Sequence, residues 1–290
     1  MHTASTSPRP ILVLGATGTV GDPLVRALAA QGHPVRAATR NPDAYDGPGH
    51  AVPVDLADPT TWTRALDGVG RLFLLSPPGH ADQFALLRPF VEAALAAGTL
   101  DRIVTMTAQG VDADDTIPFR KLERFIEAHE VPFVHLRPTW FAQNFHTFWG
   151  HGIREQGLLS LPAEDAAVAF IDARDIAASA AAALTREDIE LDRAYVLTGP
   201  AALTHAAAAA VLGRATERSI AYRSIDDDAF RQQLAPSGLP ADYIELLVGL
   251  FAVVRMGVAS EVNDSVAQLT GHPPRPLETY AQDFRAALRP

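Results

Sequence analysis

Cysteine is absent from the 290-residue chain, which excludes disulfides, thiol catalysis and cysteine–zinc sites together. Lysine occurs once, at Lys121, and the remaining basic residues are arginine. Basic residues are also outnumbered: 24 Lys and Arg face 34 Asp and Glu, a net charge of −10. A surface that acidic speaks against nucleic acid as a general partner, because such binding needs phosphates neutralised by Lys and Arg. No apolar run approaches the ~18 residues of a spanning helix, so no membrane role is expected. His146 and His151 are five apart rather than the four of a helical metal pair, so no metal is expected. Met1 to Pro10 is rich in Ser, Thr and Pro, with no apolar segment. It reads as a tail rather than a signal peptide, and the expected location is the cytoplasm.

What is present is globular: 48% hydrophobic and 20% charged residues. The length suits two domains or one large α/β domain. Ile11 to Leu14 is a continuous apolar run, as in a strand buried on both faces. Glycines from Gly15 to Gly21 follow, and then a helical pattern from Pro23 to Ala30. Strands are expected at Val35–Thr39, Ala51–Val54, Leu72–Leu75, Arg102–Thr105 and Phe133–Leu136. Helices are expected between them at Thr61–Leu66, Ala81–Ala97 and Pro118–Ala128. That alternation predicts an α/β, Rossmann-type, doubly wound parallel sheet.

After Pro138 the alternation weakens. Helices are expected at Asp172–Leu184, Thr204–Leu212, Asp227–Leu234, Tyr243–Met256 and Leu277–Leu288, with short strands at Tyr195–Leu197 and Ile220–Tyr222. The expected organisation is a tail over 1–10, a dinucleotide-binding domain over 11–150, and a smaller C-terminal α+β substrate cap over 151–290. The cap is expected to pack on the sheet and return some strands to it.

Gly15, Gly18 and Gly21 sit between the first strand and the first helix. Glycines there let the backbone approach a pyrophosphate, and the helix N-terminus presents free N–H groups to it. Thr17, Thr19 and Val20 belong to the same turn. The Gly-x-x-Gly-x-x-Gly spacing resembles extended and atypical short-chain dehydrogenases. Leu136-Arg137-Pro138-Thr139-Trp140-Phe141-Ala142-Gln143-Asn144-Phe145 is similar to the "LRP-x-x-F-x-x-N" segment of the NmrA-like group. Phe170 to Ala177 resembles its "D-x-x-D-I-A" helix start, and Tyr195–Pro200 and Leu269–Gly271 also fit. The chain therefore resembles the NmrA-like, NAD(P)-binding atypical short-chain dehydrogenases over about residues 10 to 288.

The resemblance implies an adenine contact at Asp55 and Leu56. It also implies a loop beside the nicotinamide ribose at Ser76, Pro77 and Pro78. Thr105 closes the fifth strand, whose carboxyl end faces the ligand in an open sheet, and Thr139 is a further expected cofactor contact. The second strand ends in Arg40 with no carboxylate at its tip. An arginine there suits a 2′-phosphate, so NADP(H) is expected over NAD(H), the other reading being a surface arginine.

The Tyr-x-x-x-Lys pair of ordinary short-chain dehydrogenases is missing, since no tyrosine has Lys four residues on. Phe119 falls where relatives often keep Lys or His. Thr107 and Lys121 are the remaining catalytic candidates. Thr107 is either a hydroxyl for a substrate carbonyl or the nicotinamide ribose, or a strand-end Thr of high β propensity. Lys121 is either a phosphate or ribose contact or a solvated helix cation. Trp140, Phe141, Asn144 and Phe145 are candidate substrate walls, flat rings favouring a flat conjugated ligand. Core packing is the other reading, because Phe145, Phe148 and Trp149 have helical spacing.

Two function classes remain. One is an NAD(P)H-dependent reductase of quinones, enones or related aromatic molecules. The other is a non-catalytic NAD(P)-binding redox sensor that acts on a protein partner. The expected assembly is a monomer or homodimer.

Overall fold

The computed structural model describes residues 8–290. The part of the expected tail before Pro8 lies outside the described residues. Arg9 pairs with Asp101 and donates to the Thr99 carbonyl.

The first half alternates as its apolar pattern requires. It runs β1 (Ile11–Val13), α1 (Gly21–Ala30), β2 (Val35–Thr39), β3 (His50–Pro53), α2 (Trp62–Leu66), β4 (Arg71–Leu74), α3 (Gln83–Ala96), β5 (Arg102–Met106), α4 (Pro118–Glu127) and β6 (Phe133–Pro138). Then follow β7 (Leu158–Leu161), β8 (Ala167–Val168), α5 (Ala173–Thr185), β9 (Arg193–Leu197), β10 (Leu203–Thr204), α6 (His205–Thr216) and β11 (Ala221–Ser224). The chain ends in α7 (Asp227–Leu234), α8 (Ala241–Arg255), α9 (Ser265–Thr270) and α10 (Leu277–Asp283).

Seven strands form one parallel sheet in the order β3-β2-β1-β4-β5-β6-β9. One core lies between the sheet and α1 and α5, with Leu24, Val25, Ile176 and Ala180 facing Val13, Phe73 and Val134. The other lies under α2, α3 and α4, where Leu87, Phe90 and Leu122 meet Leu12, Leu72 and Ile103. Strands covered on both faces need no polar alternation, which is why they read as apolar runs.

The C-terminal part builds its own core from Phe145, Ile153, Leu159, Phe170, Phe251 and Tyr280. Two small sheets edge it: β7 with β11 in parallel, and β8 with β10 antiparallel. The pattern reading did not find β7, β8, β10 or α9. Strands of two to four residues and a six-residue helix are too short to show a period.

Asp172 caps α5 by accepting the Arg174 N–H at 2.9 Å. Asp175, in the first turn of α5, accepts the Arg275 backbone N–H at 2.6 Å and pairs with its guanidinium. No helix among the described residues is long and apolar enough to cross a membrane.

Candidate functional site

The parallel registers align every strand's carboxyl end on one edge of the sheet. Strand order reverses at β1, which has β2 and β3 on one side and β4 onward on the other. Open α/β sheets bind ligands outside such a reversal point.

The glycine turn leaves β1 there. Gly15 has φ +65°, and a Cβ on it would come within 2.9 Å of the Leu75 side chain. Gly18 donates to the Gly15 carbonyl at 2.9 Å. A Cβ on Gly21 would overlap that same carbonyl oxygen, so only glycine lets α1 start against the turn. Val20, at the head of α1, supplies no side-chain cap. The backbone N–H groups of Thr17, Thr19, Val20 and Gly21 find no acceptor among the described residues. Thr17, Gly18 and Thr19 are exposed. Uncapped N–H groups at a helix start, with its partial positive charge, form an anion site.

The neighbouring strand ends add the other groups. Arg40 is exposed at the tip of β2, and its guanidinium has no ion pair or hydrogen bond among the described residues. Asp55 follows β3 half-buried. Its Oδ1 accepts the Ala57 N–H at 2.9 Å, and its carbonyl accepts Trp62 Nε1 at 2.7 Å. Leu56 beside it is half-buried against the core under α2 and α3. Past β4, the Ser76 hydroxyl donates to the Pro77 carbonyl at 3.1 Å, and Pro78 is exposed. The turn, Arg40, Asp55 and Ser76–Pro78 thus share one edge.

Other expected site residues point elsewhere. Thr105 is fully buried within β5, and its hydroxyl meets no partner among the described residues, so it presents nothing to a ligand. The buried Thr139 hydroxyl donates to the Ala169 carbonyl at 2.5 Å, tying β6 to the segment before α5. Phe145 is fully buried among Trp149, Phe170 and Tyr280, and is core rather than substrate wall. Lys121 is exposed on α4, whose buried face is Arg120, Leu122, Glu123 and Ile126. It is a solvated helix cation with no ion pair among the described residues.

Trp140 is half-buried, its ring centroid 4.7 Å from Phe251 and 5.8 Å from Trp149. Phe141 is half-buried against the core under α5, and Asn144 is also half-buried. These three retain exposed surface. His146 is tied into the cap, its Nδ1 2.7 Å from Tyr280 Oη, and burial holds its pKa below the ordinary value.

A cluster the motifs did not reveal lies beneath the β5 and β6 ends. Glu123 is fully buried. Its Oε1 accepts the Thr107 hydroxyl at 2.7 Å and Arg137 Nε at 3.0 Å. Its Oε2 accepts Arg137 Nη2 and Arg120 Nη1, both at 2.7 Å. Asp112 takes Arg137 Nη1 at 2.6 Å, and Glu127 takes Arg120 Nη1 at 2.8 Å. Burial raises the Glu123 pKa, but the Arg137 hydrogen bonds and neighbouring charges outweigh it and leave the carboxyl below its usual range. A signal was available: Glu123 sits on the apolar face of α4, and Arg137 near the end of an otherwise buried strand. Sequence separation hid that they meet.

The model of the NmrA-like family matches residues 8–278. The chain belongs to the NmrA-like family. A (4-alkanoyl-5-oxo-2,5-dihydrofuran-3-yl)methyl phosphate reductase of Streptomyces griseus is 34% identical, over 97% of this chain and 99% of that one. An NAD(P)H azoreductase of Xenophilus azovorans is 31% identical, over 96% of this chain and 99% of that one. The quinone oxidoreductase QOR2 of Escherichia coli, solved with NADPH, shares the fold with a TM-score of 0.81 at 23% identity, covering 95% of this chain and 99% of that one.

In this NmrA-like chain two concavities among the described residues lie away from the glycine turn. One, of about 690 Å³, opens at the amino edge of β1 and β2 between Pro10, His33 and His50. The other, of about 410 Å³, lies beside α6 at Arg214 and Arg218. Neither touches the carboxyl edge.

Proposed function

We propose that the chain is an NAD(P)H-dependent reductase whose acceptor is a conjugated, largely apolar molecule such as a quinone or an azo compound. The carrying observation is the glycine turn. Gly15 holds a positive φ, a Cβ on Gly21 would overlap the Gly15 carbonyl, and the N–H groups of Thr17, Thr19, Val20 and Gly21 lack acceptors among the described residues at the strand-order reversal. These features fit a dinucleotide pyrophosphate. Thr17 to Gly21 would hold it, Asp55 and Leu56 the adenine end, Arg40 a 2′-phosphate, and Ser76 to Pro78 the nicotinamide ribose. When bound, the nicotinamide supplies the hydride. The names of the azoreductase and of QOR2 support the same reading.

The cap offers an apolar surface beside that edge. Val258 is 40% exposed and would touch a Cβ on Gly110 at 3.6 Å, and its carbonyl accepts the Gln109 side chain at 3.0 Å. Val262 is exposed too, next to Asn263, whose N–H donates to Thr198 Oγ1 past β9. These residues, with Trp140 and Phe141, suit a flat apolar acceptor and keep water from one side of it. The chain lacks the Tyr-x-x-x-Lys acid. A quinone tolerates that lack, because the hydride brings two electrons and one hydrogen, and the remaining proton of the hydroquinone can come from water.

The test follows loss of the nicotinamide absorbance band with a panel of quinones and azo compounds. Turnover supports the reductase. Tight NADPH binding without turnover of any acceptor replaces it with the redox-sensor reading.

Gly21→Ala is expected to weaken NADPH at least tenfold, about 1.4 kcal/mol, because the added methyl must push α1 off the Gly15 carbonyl. Fluorescence titration checks it, and unchanged affinity would remove the turn from the site. Arg40→Ala is expected to weaken NADPH by one to two orders of magnitude, roughly 1.5–3 kcal/mol for charged hydrogen bonds, and to leave NADH nearly unaltered. Equal weakening of both would mean that Arg40 does not read the 2′-phosphate.

A further inference from the structure

The Thr107 hydroxyl has one proton and two lone pairs to offer. The backbone carries it just past β5, with its N–H donating to the Leu136 carbonyl at 2.8 Å. The β4–β5 register pairs Leu74 with Thr105, so Ser76 and Thr107 each follow two residues beyond that pair at the carboxyl edge. Thr107 thus stands next to the loop proposed for the nicotinamide ribose, two strands from the glycine turn.

The proton's direction follows from its partner. Glu123 receives four hydrogen bonds, three of them from guanidinium groups of Arg137 and Arg120. A carboxylate so surrounded is ionised and has no proton to give. The 2.7 Å contact is therefore Thr107 donating to Glu123. Thr107 is 5% exposed, where Thr105 is sealed, and no donor among the described residues reaches the Thr107 oxygen in return.

We propose that Glu123, braced by Arg137, accepts the only O–H hydrogen bond Thr107 can donate and makes that hydroxyl an obligate acceptor for an N–H or O–H group on the nicotinamide half of the cofactor. This rests on the cofactor part of the reading above and not on turnover. Glu123 is a positioning residue, since it reaches the ligand only through Thr107. The polarity is opposite to that of a hydroxyl donating to a substrate carbonyl. It agrees with an acceptor that is protonated from water.

The experiment titrates two ligands by fluorescence or calorimetry: NADPH, and 2′-phosphoadenosine diphosphate ribose, which lacks the nicotinamide. Thr107→Val is expected to weaken NADPH about tenfold and to leave the second ligand unchanged. Thr107→Ser restores NADPH affinity. Glu123→Gln presents an amide that can donate to Thr107 and reverse its hydroxyl. It is expected to weaken NADPH as Thr107→Val does, with no added loss in the double variant. A merely structural role would weaken both ligands alike and would not be rescued by serine. Equal weakening, unchanged NADPH affinity in Thr107→Val, or failure of Thr107→Ser to restore it overturns the proposal. If Glu123→Gln does not fold, the two Thr107 variants decide alone. Absence of NADPH binding by the natural chain overturns this proposal and the cofactor reading together. Binding without turnover removes only the reductase reading, and the titrations still decide the role of Thr107.

Discussion

Arg137→Met is expected to cost about 3–5 kcal/mol of folding stability, the usual loss when one partner of a buried ion pair is removed. Arg137 supplies two of the four hydrogen bonds on Glu123, and both side chains are shielded from water. The methionine would fill the space of the aliphatic stem but would leave the carboxylate with Arg120 and Thr107 alone. Protonating Glu123 relieves part of that charge at the expense of another hydrogen bond. The measurement is urea unfolding at neutral pH. A companion variant, Arg137→Met with Glu123→Leu, should recover much of the loss, because an apolar pair leaves no buried charge unpaired. A single-variant loss below about 1 kcal/mol would mean that the cluster is far wetter than its burial indicates.

Stability is also expected to fall steeply as pH drops from about 6.5 toward 4. His135 and His205 are fully buried, and in both rings neither nitrogen has a hydrogen-bond partner. His205 is enclosed by Trp149, Phe170, Tyr222 and Phe251, none of which can stabilise a buried imidazolium by forming an ion pair. His135 stacks on Phe133, with Glu127 Oε1 3.7 Å away. Burial pushes each from the ordinary 6.5 down to about 4.

The unfolded chain therefore binds these protons near pH 6.5, while the folded chain does not until near pH 4. Stability is fully present above 6.5 and is lost across that window. Each histidine accounts for about 3 kcal/mol at the acid end, from ~1.4 kcal/mol per unit of pKa shift. Urea midpoints between pH 7 and pH 4.5 give the slope. His205→Phe should flatten it by about half, because the phenyl ring keeps the aromatic packing and removes the titrating group. An unchanged slope would mean that His205 is reached by water or by a partner when the chain folds.

Much of the sheet was legible without coordinates. Ile11–Val13, Arg71–Leu74 and Phe133–Pro138 are covered on both faces, so their apolar runs announce buried strands wherever the chain places them. The glycine turn was legible for a related reason. Gly15, Gly18 and Gly21 meet constraints within a few residues of themselves, apart from the Leu75 contact, and short-range constraints are written in spacing. Arg40 follows from the end of its strand in the same way, whereas Asp55 came from the family resemblance. Ala173–Thr185 was foreseen as a helix because its cap, Asp172, acts on the next residues.

Tertiary structure alone decided the partners of residues far apart in the chain. Phe145 reads as a ligand wall or as core from its motif, and only the closing of Phe170 and Tyr280 around it makes it core. Thr105 lies in β5 and Thr107 just past its end, yet one hydroxyl is sealed without a partner and the other is held by Glu123. Lys121 and Glu123 lie on one turn of α4, and the packing of that helix sends the first to solvent and buries the second against Arg137. A motif records which groups are available. Their protonation, exposure and hydrogen-bond direction depend on what the fold brings within 3 Å of them, and these elements meet only when the sheet assembles.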